Sequence, residues 1–516
     1  NMHTTQRSLP FSLLGLALMA CAACAVNPAT GKRQLTLVTE KQEIQMGGQA
    51  SQEIAQSVGL YADPALQKYV SDLGMLLAKG SERPNLPWSF AVVDDPAVNA
   101  FALPGGYIFV TRGLLTFLTT EAQLVAVLGH EIGHVTGRHT VRMISRSQVA
   151  QIGLGLGMIF SETMRQFGQA GMQGLSLMFL KFGRDAEREA DTLGFQYTYK
   201  AGYDVRQVPE VYTTLKQVGQ IGDGAGKARL PSWLATHPDP DERKSDAEKR
   251  VTQVDPHRLA NKTVDKEGYL RRMEGVVFGE DPRQGFVKDN VFLHPQLAFK
   301  LNVPPGWKTQ NMAQAFVAAS PEGDAVIQLT LTKPIPPDQA LQEFLSQKGL
   351  EAVEPKGQLI ANLPSASGAF VAATEQGRLA GLVTFVSYNQ KTFQILSLSP
   401  ADRFAAKQAT FMQVLPTFGP LTDPAALGVQ PTRVRLVTVP APVTMTELAQ
   451  RFSSPVPATV LAIMNHTTLD APVPTGELVK MVGGGPNQNL PSAANVPSAP
   501  SVPSVPPVPN VPSVPK

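Results

Sequence analysis

The pentapeptide His130-Glu131-Ile132-Gly133-His134 sets two imidazoles four residues apart with a carboxylate between them. On an α-helix, positions i and i+4 share a face, so the two rings can grip one metal ion while Glu131, about 100° round the axis, reaches a water on that metal. The flanking residues favour such a helix. Thr120-Glu121-Ala122-Gln123 has the form of a capping box, and Leu124, Val125, Val127, Leu128, Ile132 and Val135 supply an apolar stripe. Gly129 and Gly133 each cost roughly 1 kcal/mol relative to alanine, which predicts a substrate groove or a neighbouring helix close to the backbone there.

Catalytic zinc takes three protein groups and keeps a position for water. Arg184-Asp185-Ala186-Glu187-Arg188-Glu189-Ala190-Asp191 supplies the third, because Glu187 and Asp191 fall on one helical face while Glu189 points about 200° away from Glu187. Glu187 is therefore the expected third ligand and Glu189 is expected to be dispensable. Asp191 is placed to accept a proton from the far nitrogen of a metal-bound histidine. The metzincin pattern HExxHxxGxxH fails, since Gly137 fits but Thr140 stands where its last histidine belongs. A two-histidine, one-carboxylate iron site leaves Glu131 without a task, whereas hydrolysis needs it as the base that takes a proton from water. His139 lies off the face of His134 and reads as a capping or core histidine.

HEIGH followed by R-x-x-E-x-x-A-D, with Asn99-Ala100-Phe101-Ala102-Leu103-Pro104-Gly105-Gly106 upstream, resembles the gluzincin metallopeptidase family of the CAAX prenyl endopeptidase and HtpX. Within that family it resembles the soluble periplasmic lipoprotein-type members of the beta-barrel assembly-enhancing kind, because multiple membrane spans are missing. The resemblance implies endoproteolysis with one Zn2+ per chain on His130, His134 and Glu187, and Glu131 as base. It also implies unfolded or misassembled envelope proteins as substrates, in protein quality control. The rival reading is a chaperone-like or cell-wall-binding scaffold with little proteolysis.

His237 precedes Pro238-Asp239-Pro240-Asp241-Glu242, which reads as an N-cap at Asp239, a proline at the first helical position and acidic residues in the first turn. From the residues alone, His237 is equally a loop residue before a cap. The resemblance draws it to the site, as an electrophile for the oxyanion or as a fourth ligand that latches the zinc; the latch is the expectation for the resting enzyme. Residues 98–102 and 107–111 read as strands joined by a Pro-Gly turn. An edge strand through Asn99, Ala100, Phe101 and Ala102 would bind an extended peptide by backbone hydrogen bonds; the plainer alternative is a hairpin packed in the core.

At 516 residues the chain exceeds one ordinary domain, and its net charge of +3 gives no electrostatic case for nucleic acid. Arg7 before the apolar run from Phe11 to Ala20 reads as a signal peptide. Leu18-Met19-Ala20-Cys21 resembles a bacterial lipobox, with Cys24 as the weaker alternative and ordinary cleavage as a third. A lipidated Cys21 would anchor the protein to the outer membrane, on the periplasmic face of the cell envelope. No cysteine follows Cys24, so a disulfide is not expected.

The expected fold is α+β: signal peptide with lipobox (1–25), a mainly helical zincin-type peptidase domain with a small β-hairpin or sheet (26–258), an α+β accessory domain (259–425), a βααβ module resembling LysM (432–483) and a disordered Pro/Val/Ser-rich tail (484–516). In the accessory domain, Ile327, Leu329 and Leu331 alternate with polar residues as a strand, and 337–348 reads as a helix ended by Gly349. The module lacks the usual Gly-Asp-Thr before its first helix, so peptidoglycan is a partner that only the resemblance suggests. The apolar segment 149–160, interrupted by glycines, reads as a packed helix, with a lid over the zinc as the alternative. Residues 433–516 are expected to be dispensable for cleavage of an unfolded peptide.

Overall fold

The computed structural model describes residues 24–153, 181–221, 232–313, 315–355, 360, 362–374 and 377–484, which mix helices and sheets in an α+β arrangement. Strands β1 (Cys24–Val26) and β2 (Arg33–Leu35) pair antiparallel ahead of helices α1 (Glu40–Ser57) and α2 (Pro64–Lys79). Strands β3 (Ser89–Val93), β4 (Ala100–Leu103) and β5 (Tyr107–Thr111) form one sheet in the order β3-β5-β4. Helices α3 (Arg112–Phe117), α4 (Glu121–Thr136), α5 (His139–Gly153), α6 (Arg184–Lys200), α7 (Val208–Ile221), α8 (Trp233–Thr236) and α9 (Pro240–Thr252) follow. Residues 1–23 of the expected signal peptide, with the expected lipobox at Cys21, residues 154–160 of the glycine-interrupted segment and residues 485–516 of the expected tail lie outside the described residues. Among those described, no helix is long and apolar enough to cross a membrane.

The pentapeptide sits on α4, which is buried from Ala122 to Thr136. The apolar stripe is thus one side of a helix enclosed all round. Half of the expected capping box forms. Thr120 Oγ1 accepts from Gln123 N at 3.2 Å, but Gln123 Oε1 accepts from Thr119 N, one residue before the cap, at 2.8 Å. The two glycines are explained by α6. A Cβ on Gly133 would lie 2.8 Å from Ala190 O, one on Gly129 3.0 Å from Gly194 O, and one on Gly194 2.7 Å from His130 N. Backbone therefore meets backbone, and the residues of α6 are brought under the histidines.

The expected hairpin is present, with Ala100 opposite Val110 and Leu103 opposite Tyr107. Its turn needs glycine at Gly105, where φ is +80° and a Cβ would lie 2.6 Å from Ile44 Cα. β4 is an edge of its sheet, packed behind a mostly buried face.

The core around α4 does not end near residue 259. Leu259, Tyr269, Met273, Val276 and Phe278 belong to the same apolar cluster as Leu128 and Ile132, and Glu121 N and Ala122 N donate to Asp265 O and Val264 O. The separate accessory core begins with Phe292. There a seven-stranded antiparallel sheet carries a helix on each face. Leu382 and Val386 cluster with Phe411 of helix Phe404–Val414, while Val383 and Phe385 cluster with Leu341 of helix Pro337–Leu345. The expected strand is Val326–Thr332. The expected helix over 337–348 stops at Leu345, with Ser346 as its C-cap.

Strand Arg433–Thr438, helices Met445–Arg451 and Ala458–Met464, and strand Leu478–Gly483 follow the expected βααβ order, with the two strands antiparallel. This module is built into the peptidase core. Val434, Leu461 and Met481 join the cluster that holds α4. Buried Lys480 donates from Nζ to Thr116 O at 2.6 Å and Leu118 O at 2.5 Å, and His466 Nε2 donates to Phe117 O at 3.1 Å. Three consecutive carbonyls at the end of α3 thus find their donors in the module. Deleting 433–516 would strand them and open the core, so the expectation that this region is dispensable is corrected.

His466 supplies a pH signature for this junction. Burial, helped by the Lys480 charge, pushes its pKa down to about 4, against roughly 6.5 in an unfolded chain. The neutral ring donates from Nε2 and takes Gln123 Nε2 on Nδ1 at 3.4 Å. Its contribution is complete above the unfolded value and is lost as pH falls from about 6.5 towards 4. Thermal unfolding of the full chain at pH 7 and pH 5 should show a loss in the wild type that exceeds that of His466→Gln by up to about 2 kcal/mol. Equal losses in the two proteins would contradict the assignment.

Candidate metal centre

Helix α4 delivers His130 and His134, α6 delivers Glu187, and the turn after α8 delivers His237. One ligand atom from each of these four buried residues lies within 4.8 Å of the others. His130 Nε2 is 3.0 Å from His134 Nε2 and 3.4 Å from His237 Nδ1. Glu187 Oε1 is 3.0 Å from His237 Nδ1 and 3.5 Å from His134 Nε2, and Glu187 Oε2 is 3.5 Å from His130 Nε2. Four donors on a tetrahedral ion at 2.0–2.1 Å stand about 3.3 Å apart. The spacing, and a set of three imidazoles with one carboxylate, fit such an ion. The buried carboxyl groups of Glu131, Glu187 and Asp191 also outnumber the Arg243 guanidinium buried with them, a surplus of acidic groups that a divalent cation would answer.

Glu131 faces this cluster without a hydrogen bond. Among the described residues neither of its buried oxygens has a hydrogen bond, and His237 Nε2 is 3.7 Å from Oε1. Burial pushes its pKa up, against the pull of His237 and His130. Burial also pushes His134 well down, with the neighbouring charge of His130 adding to it, which keeps the ring neutral. For Glu187, burial acts upwards, but His237 and Arg243 outweigh it and hold the carboxyl below its usual range.

Asp191 stands where the sequence places it. Its Oδ1 is 2.9 Å from His130 Nδ1. Burial works against its charge, but Arg243 and His130 prevail and hold it far below the usual carboxylate range. Tyr212 Oη donates to Oδ1 at 2.8 Å.

Arg243 completes the cluster and carries no signal in the sequence. Its Nε and Nη2 hold Asp191 at 2.8 and 2.6 Å, its Nη1 lies 2.9 Å from Glu187 Oε2, and its central carbon lies over the rings of Trp233 and Tyr212, 4.4 and 4.7 Å from their centroids. Nothing in α9 marks it out, because it lies among the charged neighbours Asp241, Glu242 and Lys244. Trp233 carries no signal either; it stacks on His237 with centroids 4.7 Å apart. The predicted cap before α9 differs. Asp239 sits in the left-handed region (φ 63°) and makes no side-chain cap bond; its carboxylate takes Arg184 Nε at 3.0 Å instead. Proline at the first helical position and the acidic first turn are as expected.

Glu189 is absent from the donor cluster, as the helical wheel requires, but it is not idle. It accepts from His139 Nε2 at 3.1 Å, and His139 Nδ1 is 2.9 Å from His134 Nδ1. Of the expected substrate strand, Asn99, Ala100 and Phe101 are buried and Ala102 is partly so; Trp233 N donates to Val98 O at 3.0 Å, tying α8 to the strand's start.

Residues 64–251 match the sequence profile of Peptidase family M48. The chain is similar to a beta-barrel assembly-enhancing protease from Yersinia pestis, 31% identical over 228 residues that cover 43% of this chain and 46% of the relative. It is also similar to a mitochondrial metalloendopeptidase OMA1 from Arabidopsis thaliana, 35% identical over 164 residues that cover 31% of each. The chain thus spans under half the length of these relatives. The solved cyanobacterial PsbP from Synechocystis covers 25% of this chain and 91% of its own, at 10% identity and a TM-score of 0.22, too slight a likeness to argue from.

Arg243→Leu should leave Glu187 and Asp191 buried together without their guanidinium. In metal-free protein held with a chelator, it is expected to cost about 3–5 kcal/mol of stability, read by thermal or denaturant unfolding. A cost near zero would mean that Arg243 does not carry this charge balance.

Proposed function

We propose, from the match of residues 64–251 to Peptidase family M48, that the chain is a zinc-dependent endopeptidase that cleaves envelope proteins in the quality control of a bacterial cell surface. The observation that carries the reading is the buried carboxylate of Glu131, free of hydrogen bonds among the described residues, beside the donors His130, His134 and Glu187. Bound zinc would acidify a water and polarise the scissile carbonyl. Glu131, with its pKa raised by burial, is suited to take the proton of that water and to return it to the leaving amine. Asp191 orients His130 through Nδ1 and so leaves Nε2 to the metal. The edge strand Asn99–Ala102 would hold an extended substrate by its backbone.

His237 supports a resting state that is shut. As the fourth donor in a near-tetrahedral set, held by Trp233 stacking, it would occupy the position that water needs. Movement of its loop would open the site. A lipid anchor at Cys21, or else Cys24, would keep the enzyme at the periplasmic face of the outer membrane. The chaperone-like or peptidoglycan-binding reading has less support, because it leaves Glu131 and the whole donor set without a use.

Glu131→Gln should retain zinc, measured by metal analysis of the purified full chain, and lower cleavage of an unfolded protein by about 10²–10⁴-fold. Full activity in that variant would overturn the assignment of the base.

A further inference from the structure

His134 has no carboxylate of its own. His130 rests directly on Asp191, but the outer nitrogen of His134 meets another ring: His134 Nδ1 and His139 Nδ1 are 2.9 Å apart. Two lone pairs or two N–H groups cannot share that distance, so one nitrogen donates and the other accepts. The far side of His139 decides which. Its Nε2 is 3.1 Å from Glu189 Oε1, and an ionised carboxylate only accepts, so Nε2 carries a proton; in the neutral ring, which burial favours, Nδ1 is then the acceptor. His134 must then donate from Nδ1, which leaves the Nε2 lone pair pointing at the cluster. Glu189 is itself held by Arg142 Nη1 at 3.1 Å and by Lys32 Nζ at 3.7 Å.

The chain around His139 is shaped to put it there. Arg138 turns the backbone from α4 to α5 in the left-handed region, with φ 53°. A Cβ on Gly137 would come within 2.4 Å of His139 Nε2, so only glycine leaves room for the ring. Asn27 Nδ2 donates to Gly137 O at 2.9 Å and pins the junction from the N-terminal strands. His139 is buried, 2% exposed, and stands where no solvent can substitute for it.

We propose that His139, oriented by Glu189, is a positioning residue for His134: it accepts the hydrogen bond from Nδ1–H and thereby fixes the tautomer that frees Nε2 for a metal ion. This rests on the reading of His134 as a ligand. Glu187, Glu189 and Asp191 then share one metal site from a single helix turn and a half, the first as ligand, the third behind His130 and the second behind His134 through a relayed ring.

The test is competition for zinc between the full chain and a chromogenic chelator. His139→Leu should bind zinc about 10–100-fold more weakly. His139→Asn, whose Oδ1 can accept where Nδ1 did, should return most of that affinity. Glu189→Leu should weaken binding, and Glu189→Gln, which keeps an acceptor oxygen, should weaken it less. In ring-15N-histidine spectra of the wild-type chain, His139 should be protonated on Nε2 and His134 on Nδ1. The proposal is overturned if a folded His139→Leu holds zinc like the wild type, if His139→Asn is no better than His139→Leu, or if His139 carries its proton on Nδ1. Should His139→Leu fail to fold, the Glu189 pair and the spectra decide. A wild type that binds no zinc would sink the peptidase reading instead, while the spectra would still judge the relay.

Discussion

The close contact of α4 with α6 governs the rest of the structure. Gly129, Gly133 and Gly194 let two helix backbones touch, with Gly133 against Ala190 and Gly194 against His130. At an ordinary helix separation of 8–10 Å, a glutamate on α6 would meet the far ends of side chains rather than the inner nitrogens of His130 and His134. The glycines weaken each helix locally, by about 1 kcal/mol apiece, and tertiary packing around a fully buried α4 offsets this. A methyl group at any of the three would push the carboxylates away from the rings.

Bringing charges this deep creates the second constraint. Three carboxylates are buried around the cluster with a single guanidinium to answer them, and burying unpaired charge is costly. Arg243 therefore touches Glu187 and Asp191 at once and lies over the rings of both Trp233 and Tyr212. Glu131 is the group left over. Its position is unfavourable for an isolated carboxylate and suitable for one that exchanges a proton. The same low-dielectric setting makes the orientation of each imidazole matter, because an unmade hydrogen bond here has no water to replace it.

Much of this was legible in the residues, for identifiable reasons. The i,i+4 geometry of HEIGH and of Glu187 with Asp191 needs only the period of a helix, and the meeting of the two segments follows from the chemistry of a shared ligand set. The hairpin over 100–111 was carried by β-branched and aromatic residues around a Pro-Gly turn. What was not legible depends on three-dimensional neighbours. Arg243 is one cation in a charged helix, and only folding brings it under Asp191. His139 was visible as a histidine but not as a relay, since its partner Glu189 lies 50 residues away and the helical wheel had set that residue aside. The depth of the C-terminal module was hidden for the same reason: its Lys480 reads as a strand lysine, yet it serves carbonyls at the end of α3. Residue order could suggest the βααβ pattern but not that its donors complete another domain's helix.

The central claim is that the resting centre is a closed four-donor site of His130, His134, Glu187 and His237. X-ray absorption at the zinc edge of the zinc-loaded full chain tests it most directly. The account predicts a four-coordinate ion with three imidazoles and one carboxylate oxygen, and a loss of one imidazole in His237→Ala. A wild-type spectrum with two imidazoles, unchanged by His237→Ala, would contradict it.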